Sequence, residues 1–127
     1  MTQVLIPVSV GELVDKVTIL NIKNLLISDP EKLDNIQREL QALQDILSGL
    51  TLSQQIRDLQ CQLQLVNMEL WLIEDYKRSC ERDQNFDHAF VNSARQVYLK
   101  NDIRASIKRQ INNLTGSDIV EEKSYST

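Results

Sequence analysis

The chain has 127 residues and a formal net charge of −4, with 42% hydrophobic, 25% charged and only 5% aromatic residues. These values set it among single globular domains and against a disordered segment or a nucleic-acid binder. No run of about 18 apolar residues occurs, so a membrane span is not expected, and no basic region precedes the apolar N-terminal stretch, so a signal peptide is not expected either.

Three Gly and two Pro in the whole chain leave few turns, which favours long helices over a many-stranded sheet. Residues 3–8, Gln-Val-Leu-Ile-Pro-Val, are β-prone but short, and Pro7 restricts them to an edge strand or an extended lead-in. Ser9-Val10-Gly11-Glu12 is a capping box, which starts a first helix running to about Ile27. Leu13, Val17 and Leu20 share one of its faces. Thr18 and Asn21 fall on the row Val14, Thr18, Asn21, Leu25 and must be hydrogen-bonded if that row is buried. Asp29 and Pro30 open a second helix as cap and first helical residue. Leu33, Ile36, Leu40, Leu43 and Leu47 then recur at spacings of 3, 4, 3 and 4, an apolar seam of the coiled-coil type that stops at Gly49.

A third helix is expected from Leu52 to about Asp83, with its own seam of Ile56, Leu59, Leu63, Val66, Leu70 and Ile73. Asp87 caps the fourth, which runs to Leu114 and ends at Gly116. The fold class is therefore all-α, an antiparallel helical bundle of two hairpins. Residues 1–116 form the domain and 117–127 a tail. For the termini, two outcomes are open: an unpaired tail, or a short β-ribbon of Ile119-Val120 with Val4–Ile6. The second hairpin is longer than the first, and homodimerisation would bury the seam left over.

The last helix carries the main anomaly. Phe90, Ala94 and Val97 begin an apolar stripe whose spacing continues into Asn101, Arg104 and Lys108, while the apolar row shifts to Leu99, Ile103, Ile107, Ile111 and Leu114. Arg95 lies near its start. From 84 to 116 the count is five Lys/Arg against two Asp/Glu in an otherwise acidic protein. Two readings compete: a cationic inter-helix pocket for a carboxylate or phosphate, or a structural role, as a solvated basic face or a salt-bridge ladder with Glu69, Glu74 and Asp75 of the third helix. On that helix Asn67, Trp71 and Glu74 share a face, and Trp71 is either a core anchor or the wall of a ligand site.

Other chemistry is absent from the pattern. Cys61 and Cys80 are far apart and read as reduced thiols. His88 has no second ligand at helical spacing. Residues 83–87 imitate an EF-hand opening, but His88 stands where Gly is needed and Ala94 where Glu is needed. No phosphate loop or nucleophile elbow occurs. No catalytic residue, metal or cofactor is expected.

The string from Pro7 to Leu20, Pro-Val-Ser-Val-Gly-Glu-Leu-Val-Asp-Lys-Val-Thr-Ile-Leu, resembles the opening signature of a family of small bacterial proteins of unknown function. So do Val66–Trp71, Asn101-Asp102 with Arg104-Ala105, and Val120-Glu-Glu-Lys-Ser-Tyr125. The resemblance covers nearly the whole chain. It implies that the polar stripe and the tail belong to the family's pattern, and it suggests a tail folded back with Glu121 or Glu122 on Arg104 or Lys108.

The expectation is a cytoplasmic, non-catalytic interaction or ligand-binding module, homodimeric, with a site for an anionic group built from Asn67, Glu69, Arg95, Asn101, Arg104 and Lys108. Its partner is a second copy, another protein or a small anion, without nucleic acid or membrane. One alternative is a small helical enzyme of the chorismate-mutase type acting on a dicarboxylate, with Glu69 as polar group or general base. Another is a purely structural oligomerisation module.

Overall fold

The computed structural model describes residues 2–126, so Met1 and Thr127, the outermost residues of the expected domain and tail, lie outside them. Four helices follow in order: α1, Val10–Leu26; α2, Pro30–Ser48; α3, Gln54–Asp83; and α4, His88–Thr115. The chain is an all-α bundle of two hairpins.

Each start is fixed by a side-chain cap that accepts an orphan backbone N–H. Ser9 accepts from Glu12, Asp29 from Lys32, and Asp87 from Phe90. At α3 the cap is Ser53, accepting from Ile56, so the helix begins at Gln54 and not at Leu52. α3 ends on Gln84 and α4 on Gly116, both left-handed.

α1 occupies the centre of the molecule. One face, Leu13, Val17 and Leu20, packs on Ile36 and Leu40 of α2. The expected α2 seam is what meets it, with Leu43 and Leu47 half-buried beside it. On the other side Val14 joins Ile56, Leu59, Leu63 and Val66 of α3 and Ile107 and Ile111 of α4. With apolar contacts on both sides, this 17-residue helix has little surface left for solvent. α2 packs along α1 alone, with Leu47 also reaching the second cluster. α3 has 30 residues, about 45 Å at 1.5 Å per residue, against about 25 Å for α1. The α3–α4 hairpin therefore outruns its neighbour.

No strand forms among the described residues, so the β-ribbon open to the termini is not made. Val4, Leu5 and Ile6 stay exposed in irregular backbone. The tail instead lies against α4 and the start of α1, held by its charges.

Candidate functional site

The row on α4 faces α1 because α1 is wedged between α2 and the α3–α4 hairpin. Asp15 is fully buried, and burying a carboxylate is costly unless it is paired and hydrogen-bonded. Here it is both. The Arg104 guanidinium donates from Nε to Oδ1 at 3.0 Å and from Nη2 to Oδ2 at 2.5 Å. This bidentate fit requires an arginine. Asn67 donates from Nδ2 to Oδ1 at 2.9 Å and to the Thr18 hydroxyl at 2.9 Å. Thr18 in turn donates to the Asp15 carbonyl at 2.7 Å. No enclosed side-chain nitrogen or oxygen among the described residues lacks a partner.

About one turn beyond Arg104 on α4, Lys108 is the hub of a second set. Its Nζ lies 2.6 Å from Glu12, 2.9 Å from Glu121 and 3.8 Å from Asp15. The Ser9 hydroxyl donates to the other Glu121 oxygen while accepting the Glu12 N–H. The tail thus carries its carboxylate into the cap of α1. Two outer pairs fasten it further, Arg109 with Glu122 at 2.9 Å and Lys123 with Asp102 at 2.9 Å.

The electrostatics follow from these partners. The hydrogen bond to Asp15 raises the Arg104 pKa above the ordinary arginine value, against the opposing effect of burial. Burial also works against the Lys108 ammonium, but the hydrogen bonds to Glu12 and Glu121 outweigh it and its pKa is raised. Burial pushes Glu121 up, yet the Ser9 hydroxyl and the Lys108 ammonium together bring it below the usual glutamate value. Three carboxylates thus meet two cations.

Close backbone approach holds this end of the bundle together. The Gly11 N–H donates to Asn112 Oδ1 at 2.7 Å. A Cβ on Gly11 would lie 2.6 Å from the Lys108 carbonyl oxygen and 2.9 Å from Asn112 Oδ1. Only glycine lets α1 and α4 come this near.

Of the six residues expected at an anion site, Asn67, Arg104 and Lys108 surround Asp15. Asn101 joins at the edge, accepting from Arg104 Nη1 at 3.4 Å. Glu69 and Arg95 are not in the group: both are exposed, and Glu69 pairs with Lys100. The principal partners of Arg104 and Lys108 come from α1 and the tail, and of the α3 acids named for a ladder Glu69 alone pairs with α4 among the described residues, through Lys100. Asp15 and Asn112 were absent from the expected set. Their signals were an acid inside a helix with apolar residues on both faces, and an amide one turn beyond Lys108.

Beside the cluster an open groove of about 400 Å³ runs between α1, α3 and α4. Asn67, Trp71 and Glu74 line it along α3, as their shared face requires, with Ile19 and Ile22 of α1 and Arg104 of α4.

A family model matches residues 4–127. The chain belongs to DUF6165, a family of unknown function. Among curated proteins and among solved structures nothing matches it. The match spans both the bundle and the tail that closes onto it. Among the described residues no helix is long and apolar enough to cross a membrane, no three His, Cys, Asp or Glu side chains are grouped to hold a metal, and both cysteines are free.

Proposed function

We propose that the chain is a non-catalytic binding and interaction module whose inter-helix cationic site takes an anionic group, and that its own tail fills that site in the resting state. The observation that carries this is the Glu121 carboxylate, held at once by the Ser9 hydroxyl and the Lys108 ammonium. An incoming carboxylate or phosphate would replace Glu121 and release the tail. Arg104 is less available, because its fork is filled by a buried carboxylate of the same chain. That commitment supports binding over rearrangement of a dicarboxylate, which would need both cations free.

A thermal-shift series with inorganic phosphate, succinate and nucleotides tests the reading in the full chain and in Glu121→Gln. Wild type should respond weakly and the variant should be stabilised by at least one anion. If no anion raises the melting temperature of the variant, the reading fails.

A second reading concerns self-association. Leu65, Leu72 and Tyr76 form one exposed row on α3, and Leu99 and Ile103 another on α4. The Glu69–Lys100 pair bridges the two rows. The patch is therefore apolar with a locally neutralised centre, a composition suited to a second copy of the same surface.

A further inference from the structure

Asn67 is nine-tenths buried, and its orientation is fixed by chemistry. An ionised Asp15 carboxylate only accepts, so the amide must turn Nδ2 toward it. Both Nδ2 hydrogens are then used, one on Asp15 and one on Thr18. The carbonyl oxygen Oδ1 accepts no hydrogen bond among the described residues, although every fully enclosed side-chain nitrogen or oxygen has a partner. Oδ1 therefore opens onto the groove that Asn67 lines.

Arg104 lines the same groove. Of its five N–H donors, Nε and Nη2 serve Asp15 and one Nη1 hydrogen serves Asn101. The buried carboxylate thus orients both groups and leaves an unpartnered amide acceptor, Asn67 Oδ1, beside the spare donors of Arg104, in a groove that Glu74, Asp75 and Arg78 also line. Around them lie the Trp71 ring and the apolar side chains of Ile19 and Ile22.

We infer that this groove is a binding site for a neutral amide group on a planar or apolar body: the amide N–H donates to Asn67 Oδ1, its carbonyl accepts from Arg104, and the body lies against Trp71. Asp15 neutralises Arg104, which favours a neutral acceptor over a full anion here. The inference does not depend on the tail's occupancy of the Lys108 site. The amide belongs either to a free small molecule or to a side chain of a partner protein.

The test is a two-dimensional ¹⁵N NMR titration of the full-length wild-type chain, following the indole N–H of Trp71, the only tryptophan, and the Asn67 side-chain amide. Benzamide is compared with N,N-dimethylbenzamide, which lacks the donor, and with benzoate, which lacks the donor and carries a charge. Benzamide should shift both signals and bind at least tenfold more tightly than either control. A blocked glutamine forms a further arm; tighter binding than benzamide assigns the source to a protein side chain, and weaker binding to a small molecule. Equal binding of the three benzene derivatives would reduce the groove to an apolar surface and overturn the proposal. Preference for benzoate, or no shift from any probe, would overturn it as well.

Discussion

Asp15 and Arg104 stand 89 residues apart in sequence and meet through two parallel hydrogen bonds, with the carboxylate buried and the guanidinium reaching the groove. The pair locks the centre of α1 to α4 and orients Asn67 at the same time. Removing one partner of a buried pair leaves the other uncompensated, which costs about 3–5 kcal/mol. Arg104 retains some access to water, so Asp15→Ala should fall at the low end, about 3 kcal/mol by that principle. Denaturant unfolding measures it. Replacing both residues by Leu should cost less than the sum of the single changes, and an additive result would show that the two do not act as a pair.

Gly11→Ala should destabilise by about 1–3 kcal/mol through overpacking. The obstacle is a backbone carbonyl, which cannot rotate aside like a side chain. Thermal unfolding reads the effect, and Gly49→Ala serves as a comparison because its nearest neighbour is more distant, at 3.3 Å. Equal losses at the two sites would argue against close α1–α4 contact.

The helices were legible because their ends carry local chemistry. Ser9 with Glu12, Asp29 with Pro30, Asp87, and Gly116 each act within one turn, so sequence spacing alone identifies them. The α2 seam was legible for the same reason. The fourth helix was harder. Its shifted apolar row is only half core, since Ile107 and Ile111 are buried while Leu99, Ile103 and Leu114 are exposed. Which row turns inward depends on α1 lying between α2 and the α3–α4 hairpin, a tertiary fact. Asp15 was overlooked for a related reason. An acid in a helix defaults to solvent, and its burial becomes evident only once both flanks of α1 are known to be covered. The tail's return to Lys108 was suggested by its family pattern, not by any local signal.

The tail should be held only within a window of pH. Glu121 is depressed, so its contribution is complete above the ordinary glutamate value of 4.5 and is lost as pH falls through its lower folded value. Lys108 is raised, so its contribution is complete below the ordinary lysine value of 10.5 and is lost as pH rises through its higher folded value. Backbone amide signals of residues 120–123 followed by NMR should therefore hold steady near neutrality and move together in acid. Movement of the Glu122 signals without those of Glu121 would place the acid-sensitive contact at Arg109.

If two copies associate through the outer face of α3–α4, Leu72→Lys should leave a monomer of 14.6 kDa in solution. Leu72 is exposed, so the change should cost the fold little. Light scattering coupled to gel filtration separates the outcomes. A wild type that elutes as a monomer at high concentration would refute the dimer.

On the proposed function, Glu121 occupies a site for an anion. The most direct measurement of that occupancy is calorimetric titration of inorganic phosphate into wild type and into Glu121→Gln. Phosphate should bind the variant at least tenfold more tightly than the wild type, with the gain abolished by adding Lys108→Gln. Equal affinity for the two chains, or a gain that survives loss of Lys108, would contradict it.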